Sequence, residues 1–150
     1  MYRRSNNRKM EGYKMKLKGH KINGGRVEGE AVVCTDAFSF LGDFDPITGN
    51  CLIKRPELEG KSMIGKILVC PTGKGSSRGP LNTYRAMKLN KSPKGIVCIE
   101  AEPVLAAAAI VANMPMVDRP DKNPLEVIRT GDWVKVDGDN GLVEVIHSGN

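Results

Sequence analysis

No apolar run of 18 residues occurs in this 150-residue chain; the longest candidate, around 104–117, is interrupted by Asn113 and Pro115. A membrane-spanning helix is therefore excluded. The first ten residues, MYRRSNNRKM, are basic and lead into no apolar stretch, so they do not form a secretory signal. Aromatic residues make up only 5% of the chain, and all three phenylalanines fall within 38–44. Histidine is limited to His20 and His147, and the four cysteines, Cys34, Cys51, Cys70 and Cys98, form no C-x-x-C pair. That spacing gives no support to a metal cluster, and an intracellular chain of this size needs no disulfide framework. Cys70 and Cys98 sit in apolar, strand-like runs, where a thiol acts as a small hydrophobe. What is present suffices for a core: 40% of the residues are hydrophobic, too many for a disordered chain, and the length suits one domain. The expectation is a soluble, cytoplasmic, single-domain protein.

The net charge of +6 resembles a nucleic-acid signal until it is located. Residues 1–18 hold seven basic residues against the single acid Glu11, which accounts for the whole excess and leaves the rest balanced. The charge belongs to the amino-terminal stretch, whose first part, residues 1–12, is read as a disordered basic arm. Such a tail binds polyanions nonspecifically or is a solvated extension; nucleic acid is not expected as a partner.

From Lys14 to Lys18 charged and apolar residues alternate, as in a strand with one wet face. Asn23-Gly24-Gly25 is a turn, and Val27 to Cys34 reads as a second strand. The segment 38–46 combines its phenylalanines with Gly42, Asp43 and Pro46, which suits an ordered loop rather than a strand. Lys66 to Cys70 and Gly95 to Ile99 are short apolar runs of the kind buried on both faces of a sheet. Between them a helix is expected from Pro80, at the first helical position, to about Asn90, where Ser92-Pro93 intervenes. A second helix, alanine-rich and apolar nearly all round, spans Glu102 to about Asn113, buried or at an interface. Met114 to Val117 forms a third strand. Trp133–Val136 and Leu142–Val145 alternate around Asp137-Gly138-Asp139-Asn140-Gly141, a hairpin. The pattern is α/β: β-rich ends flank a central βαβαβ unit with parallel strands and right-handed crossovers.

The loop 73–79, Gly-Lys-Gly-Ser-Ser-Arg-Gly, would leave the carboxyl end of a parallel strand and enter a helix amino terminus. Open α/β sheets bind ligands there, because main-chain N–H groups and the helix dipole favour anions. Gly73, Gly75 and Gly79 permit close approach, Ser76 and Ser77 add hydroxyls, and Lys74 and Arg78 add positive charge. A Gly/Ser-rich surface loop without a ligand is the alternative. A P-loop requires Ser or Thr directly after Gly-Lys, whereas Gly75 follows Lys74. Residues 75–79 do match Gly-x-Ser-x-Gly with Ser77 as nucleophile. The proline at the helix start and the absence of a well-placed Asp-then-His order speak against acyl hydrolysis.

Ser39-Phe40-Leu41-Gly42-Asp43, Asp45-Pro46-x-Thr48-Gly49, Gly65-Lys66-Ile67-Leu68-Val69, Gly73-Lys74-Gly75-Ser76-Ser77, Glu100-Ala101-Glu102-Pro103 and Pro115-Met116-Val117-Asp118 occur in that order. With them the chain, over about residues 15–146, resembles the small subunit, or swivel domain, of the aconitase X dehydratases. The resemblance implies a compact swivelling β/β/α domain, here 13–147, that docks on a large subunit and is active only with it. An iron or iron–sulfur centre is then expected in the large subunit, with no metal or cofactor bound by this chain. The resemblance also implies Ser76 as the catalytic base, with Lys74, Gly75, Ser77 and Arg78 binding a small anionic substrate. The serine would take a proton from a carbon next to a carboxylate while the partner's metal helps the hydroxyl leave.

Members of this family dehydrate mevalonate 5-phosphate, in isoprenoid biosynthesis by a mevalonate pathway, or cis-3-hydroxy-L-proline. Archaeal members often continue the loop with small or apolar residues, where this chain has Arg78-Gly79-Pro80. The added cation, suited to bidentate anion recognition, favours the phosphorylated substrate. Ser39 and Asp43 either line the same cleft, as the resemblance suggests, or Asp43 caps a turn while Phe38, Phe40 and Phe44 fill the core. Glu102 suits the start of the next helix better than catalysis. The competing class is a stand-alone anion-binding module without catalysis.

Overall fold

The computed structural model describes residues 14–147; the expected arm, residues 1–12, lies outside them. Along the described chain come β1 (Lys14–Lys18), β2 (His20–Asn23), β3 (Arg26–Val33), β4 (Ile67–Cys70), α1 (Gly79–Lys88), β5 (Gly95–Cys98), α2 (Pro103–Val111), β6 (Met116–Asp118), α3 (Pro124–Val127), β7 (Trp133–Asp137) and β8 (Leu142–Ile146). β4, β5 and β6 are buried at every position, the environment that unbroken apolar sequences demand. They pair in parallel, Cys70 beside Cys98 and Cys98 beside Asp118, with α1 and α2 as the crossovers.

β3 joins two layers. Its first half, Arg26–Glu30, pairs antiparallel with β7, and its second half, Ala31–Val33, pairs parallel with β4. The strand order is β1-β8-β7-β3-β4-β5-β6-β2, and the antiparallel end folds over the parallel strands. Side-chain alternation divides the core accordingly. Ile67, Val69 and Val97 pack with Val134, Val136 and Val143 of the antiparallel layer. Leu68, Ile96 and Met116 point the other way, toward Ala86 of α1 and Leu105 and Ala108 of α2. Three layers result, β/β/α, as the family resemblance implies.

Several elements differ in detail from the sequence reading. α1 begins at Gly79 with Arg78 as its N-cap, so Pro80 stands second rather than first; its missing N–H is harmless there too. Glu102 is the N-cap of α2 rather than its first residue. α2 buries Leu105, Ala108 and Ala109 but leaves Ile110 and Val111 exposed, so it is apolar all round without being buried all round. β6 starts at Met116, two residues later than read. β2 and α3 were not anticipated. β2 is a four-residue edge strand that takes its ladder from β6, and α3 is a single turn capped by Asn123.

Gly29 marks where β3 passes from one layer to the other: a Cβ there would stand 2.5 Å from the main-chain oxygen of Gly65. Gly29 is held by its pairing with Val134, and Gly65 N donates to Ser92 O at 3.1 Å. Gly29→Ala is expected to cost about 1–3 kcal/mol of stability, as overpacking does, read as a lowered urea midpoint with an unchanged slope.

Candidate functional site

The glycine loop leaves β4 at Pro71 and is tied down residue by residue. Pro71 O accepts the N–H groups of Ile99 and Glu100 at 3.0 and 3.1 Å, holding the loop's origin to the end of β5. Phe38 N donates to Thr72 O at 2.9 Å and Lys74 N donates to Phe38 O at 3.1 Å, a short parallel bridge. Gly73 is buried, and a Cβ there would collide with the Glu102 carboxylate. That carboxylate caps α2 with both oxygens, accepting Val104 N at 2.9 Å and Leu105 N at 3.1 Å. The expected capping role of Glu102 is what the structure contains.

The aromatic segment supplies the other wall. Phe38, Phe40 and Phe44 are 1–2% exposed and meet edge to face, with ring centroids 4.9 and 5.3 Å apart. Ser39 Oγ donates to Gly75 O at 3.1 Å and accepts Leu41 N at 3.1 Å. Asp43 Oδ2 accepts Ser39 N at 3.0 Å and pairs with Lys74 Nζ at 3.1 Å. The structural reading of this segment is met: the rings are core and Asp43 caps a turn, while Ser39 and Asp43 bond the glycine loop. Buried Asn82 of α1 donates through Nδ2 to Phe40 O at 2.9 Å, a tie that no motif in the sequence announces.

Gly75 and Ser76 both have positive φ, 93° and 76°. For glycine this is ordinary; for serine it costs about 1–2 kcal/mol. Ser76 keeps it because Gly75 is anchored on one side and Gly79 N donates to Ser76 O at 3.0 Å on the other. Ser76, Ser77 and Arg78 are exposed. Arg78 caps α1 without a side-chain hydrogen bond, and no acidic residue occupies the first turn. Among the described residues the N–H groups of Ser77 and Arg78 have no acceptor. The loop therefore presents hydroxyls, free N–H donors, a helix dipole and the Arg78 guanidinium on one surface, a setting that stabilises negative charge. Lys74 is half-exposed, with part of its charge engaged by Asp43.

Other chemistry is not assembled. His147 Nδ1 sits 2.9 Å from Asp132 Oδ2 in the antiparallel layer, where it gives Ser77 no triad. Among the described residues no three His, Cys, Asp or Glu side chains are grouped to hold a metal ion. The four cysteines are buried free thiols. Burial pushes Cys70 well up and Cys98 to about 12. The thiol hydrogen bond to Cys51, with burial, raises Cys34 as well. No described helix is long and apolar enough to cross a membrane.

The sequence profile of the aconitase X swivel domain matches residues 16–145. A phosphomevalonate dehydratase small subunit of Methanocella arvoryzae is 47% identical over 131 residues, covering 87% of this chain and 99% of its own. One from Methanosarcina acetivorans is 42% identical, covering 88% and 92%. A crystal structure of Thermococcus kodakaraensis aconitase X in its holo form superposes with a TM-score of 0.80 at 46% identity, covering 87% of this chain and 98% of that one.

Two expectations follow from the site. Replacing Ser76 by Gly should leave the protein about 1 kcal/mol more stable than replacing it by Ala, since only glycine relieves the backbone; paired thermal melts check this. None of the four thiols should react with a maleimide at pH 8 until the chain unfolds, because all four are at most 1% exposed; rapid labelling of the folded protein would contradict it.

Proposed function

Because the chain belongs to the aconitase X swivel-domain family, we propose that it is the small subunit of a cytoplasmic hydro-lyase that dehydrates mevalonate 5-phosphate, with Ser76 as its base. Relatives 41–47% identical over most of the chain carry the name phosphomevalonate dehydratase small subunit, which supports both the reaction class and the need for a large subunit. The observation that carries the reading is Ser76 itself: exposed, held at a positive φ, and backed by a loop whose opposite side is fully anchored. That arrangement leaves an exposed serine on an anchored backbone, as a base acting on a substrate seated in another subunit requires.

A serine hydroxyl is too weakly acidic to serve at neutral pH unless its alkoxide is stabilised. The free N–H groups of Ser77 and Arg78, the amino end of α1, and the cations Lys74 and Arg78 supply that stabilisation. The alkoxide then takes the proton from the carbon beside the substrate carboxylate, and the hydroxyl on the neighbouring carbon departs. Gly75 keeps the loop free of side-chain bulk where the substrate enters, and Arg78 receives an anionic group of it. On this reading an iron or iron–sulfur centre belongs to the large subunit, as the family resemblance implies. The reading needs neither a membrane nor a nucleic acid.

The test is an anaerobic dehydration assay on the metal-replete complex with the co-expressed large subunit, offering mevalonate 5-phosphate and cis-3-hydroxy-L-proline. The phosphorylated acid is expected to turn over. Ser76→Ala should lower kcat by about 10²–10⁴-fold with the complex intact, and Arg78→Ala should raise KM about tenfold or more. Turnover of the proline derivative instead would reassign the substrate. No turnover of either would return the chain to a non-catalytic anion-binding role.

A further inference from the structure

Four non-glycine residues of the described chain have positive φ: Ser76, Asn90, Asn113 and Arg119. The two asparagines directly follow Leu89 and Ala112, the C-caps of α1 and α2, where asparagine ordinarily ends a helix. The other two follow the carboxyl ends of the parallel strands β4 and β6. Arg119, at φ 51°, lacks the short polar side chain that makes this conformation tolerable in asparagine. Strain kept at such a position points to use.

Contacts lead from Arg119 to the glycine loop. Arg119 N donates to Ile99 O at 3.0 Å, and the next two N–H groups of that segment, Ile99 and Glu100, donate to Pro71 O. Arg119 Nε lies 3.8 Å from Asp118 Oδ2, and Nη2 lies 3.9 Å from Glu100 Oε2. Asp118, only 3% exposed, accepts Ala101 N at 2.9 Å, and the neighbouring Glu102 carboxylate lies against Gly73. Cys70, Cys98 and Asp118 are in register across β4, β5 and β6, so the two strand ends are roughly 10 Å apart.

The ion pairs of Arg119 are long, and its side chain is 61% exposed. The guanidinium is oriented by buried Asp118 yet keeps donors for a further partner, and exposed Glu100 is the contact an incoming anion would displace.

We propose that Arg119 is a second anion-binding residue of the substrate site, taking the carboxylate or phosphate that Arg78 does not. This rests on the reading of the Ser76 loop as the site of dehydration. Two arginines on the side of the sheet where β4 and β6 end would then fix both ends of the substrate.

The test uses the assembled complex with mevalonate 5-phosphate. Arg119→Gly should raise KM about tenfold or more with kcat within about threefold of wild type, while the thermal midpoint of the complex holds or rises as the backbone strain is relieved. Arg119→Lys, which keeps the charge but not the fork, should recover part of the affinity. Weaker binding without weaker folding is a signature that a structural role would not produce. An active wild-type complex with unchanged KM in both variants would overturn the Arg119 assignment alone. So would folded variants that no longer bind the large subunit, which would place Arg119 in the subunit contact. An inactive wild-type complex would remove the Ser76 reading and this inference with it.

Discussion

The divided pairing of β3 is the constraint on which the rest of the domain depends. One eight-residue strand lends its first half to β7 and its second half to β4, so one backbone segment belongs to both sheets. The two faces of the parallel strands are thereby covered by different materials: valines of the antiparallel layer on one side, small and aliphatic residues of the helices on the other. With both faces buried, the only place where the parallel strands meet solvent is at their ends. The carboxyl ends carry the glycine loop, at the position where open α/β sheets receive their ligands.

At that edge, rigidity is supplied by the neighbours and exposure by the loop. Phe38 and Ser39 bond the main chain of the loop, Asp43 holds Lys74, Glu102 packs on Gly73, and Asn82 ties α1 to the aromatic segment. These contacts come from regions far apart in sequence, and their joint effect is to hold one serine in a conformation it would not choose. The arrangement is that of a preorganised site, in which the stability of the surroundings offsets local strain.

Much of this was legible beforehand, for identifiable reasons. Lys66–Cys70 and Gly95–Ile99 read as buried strands because their apolar runs are continuous, and each holds a strand one residue shorter; the hairpin of 133–136 with 142–145 read correctly because its alternation and its Asp-Gly turn agree. The five loop residues are contiguous, so sequence alone brought them together. What escaped is what long-range pairing decides. Four residues from His20 to Asn23 carry too little pattern to announce a strand, and they form one only because β6 offers an unpaired edge. Residues 35–66 hold little regular structure, and nothing local reveals that Ser39 will bond Gly75. Arg119 carries no sequence signal at all; its backbone conformation singles it out.

The same division of β3 bears on how the chain is made. During synthesis β1 and β3 emerge early, but their partners β8 and β7 come last: Met15 pairs with Val145 and Arg26 with Asp137. The parallel strands and their helices can assemble while the first half of β3 still lacks its ladder, and closing so long a loop slows that final step. For that interval a strand edge stands open to any passing chain. Arg26, Glu28 and Glu30 alternate along it, so the charged face that later meets solvent first serves to discourage a stray strand from completing the sheet.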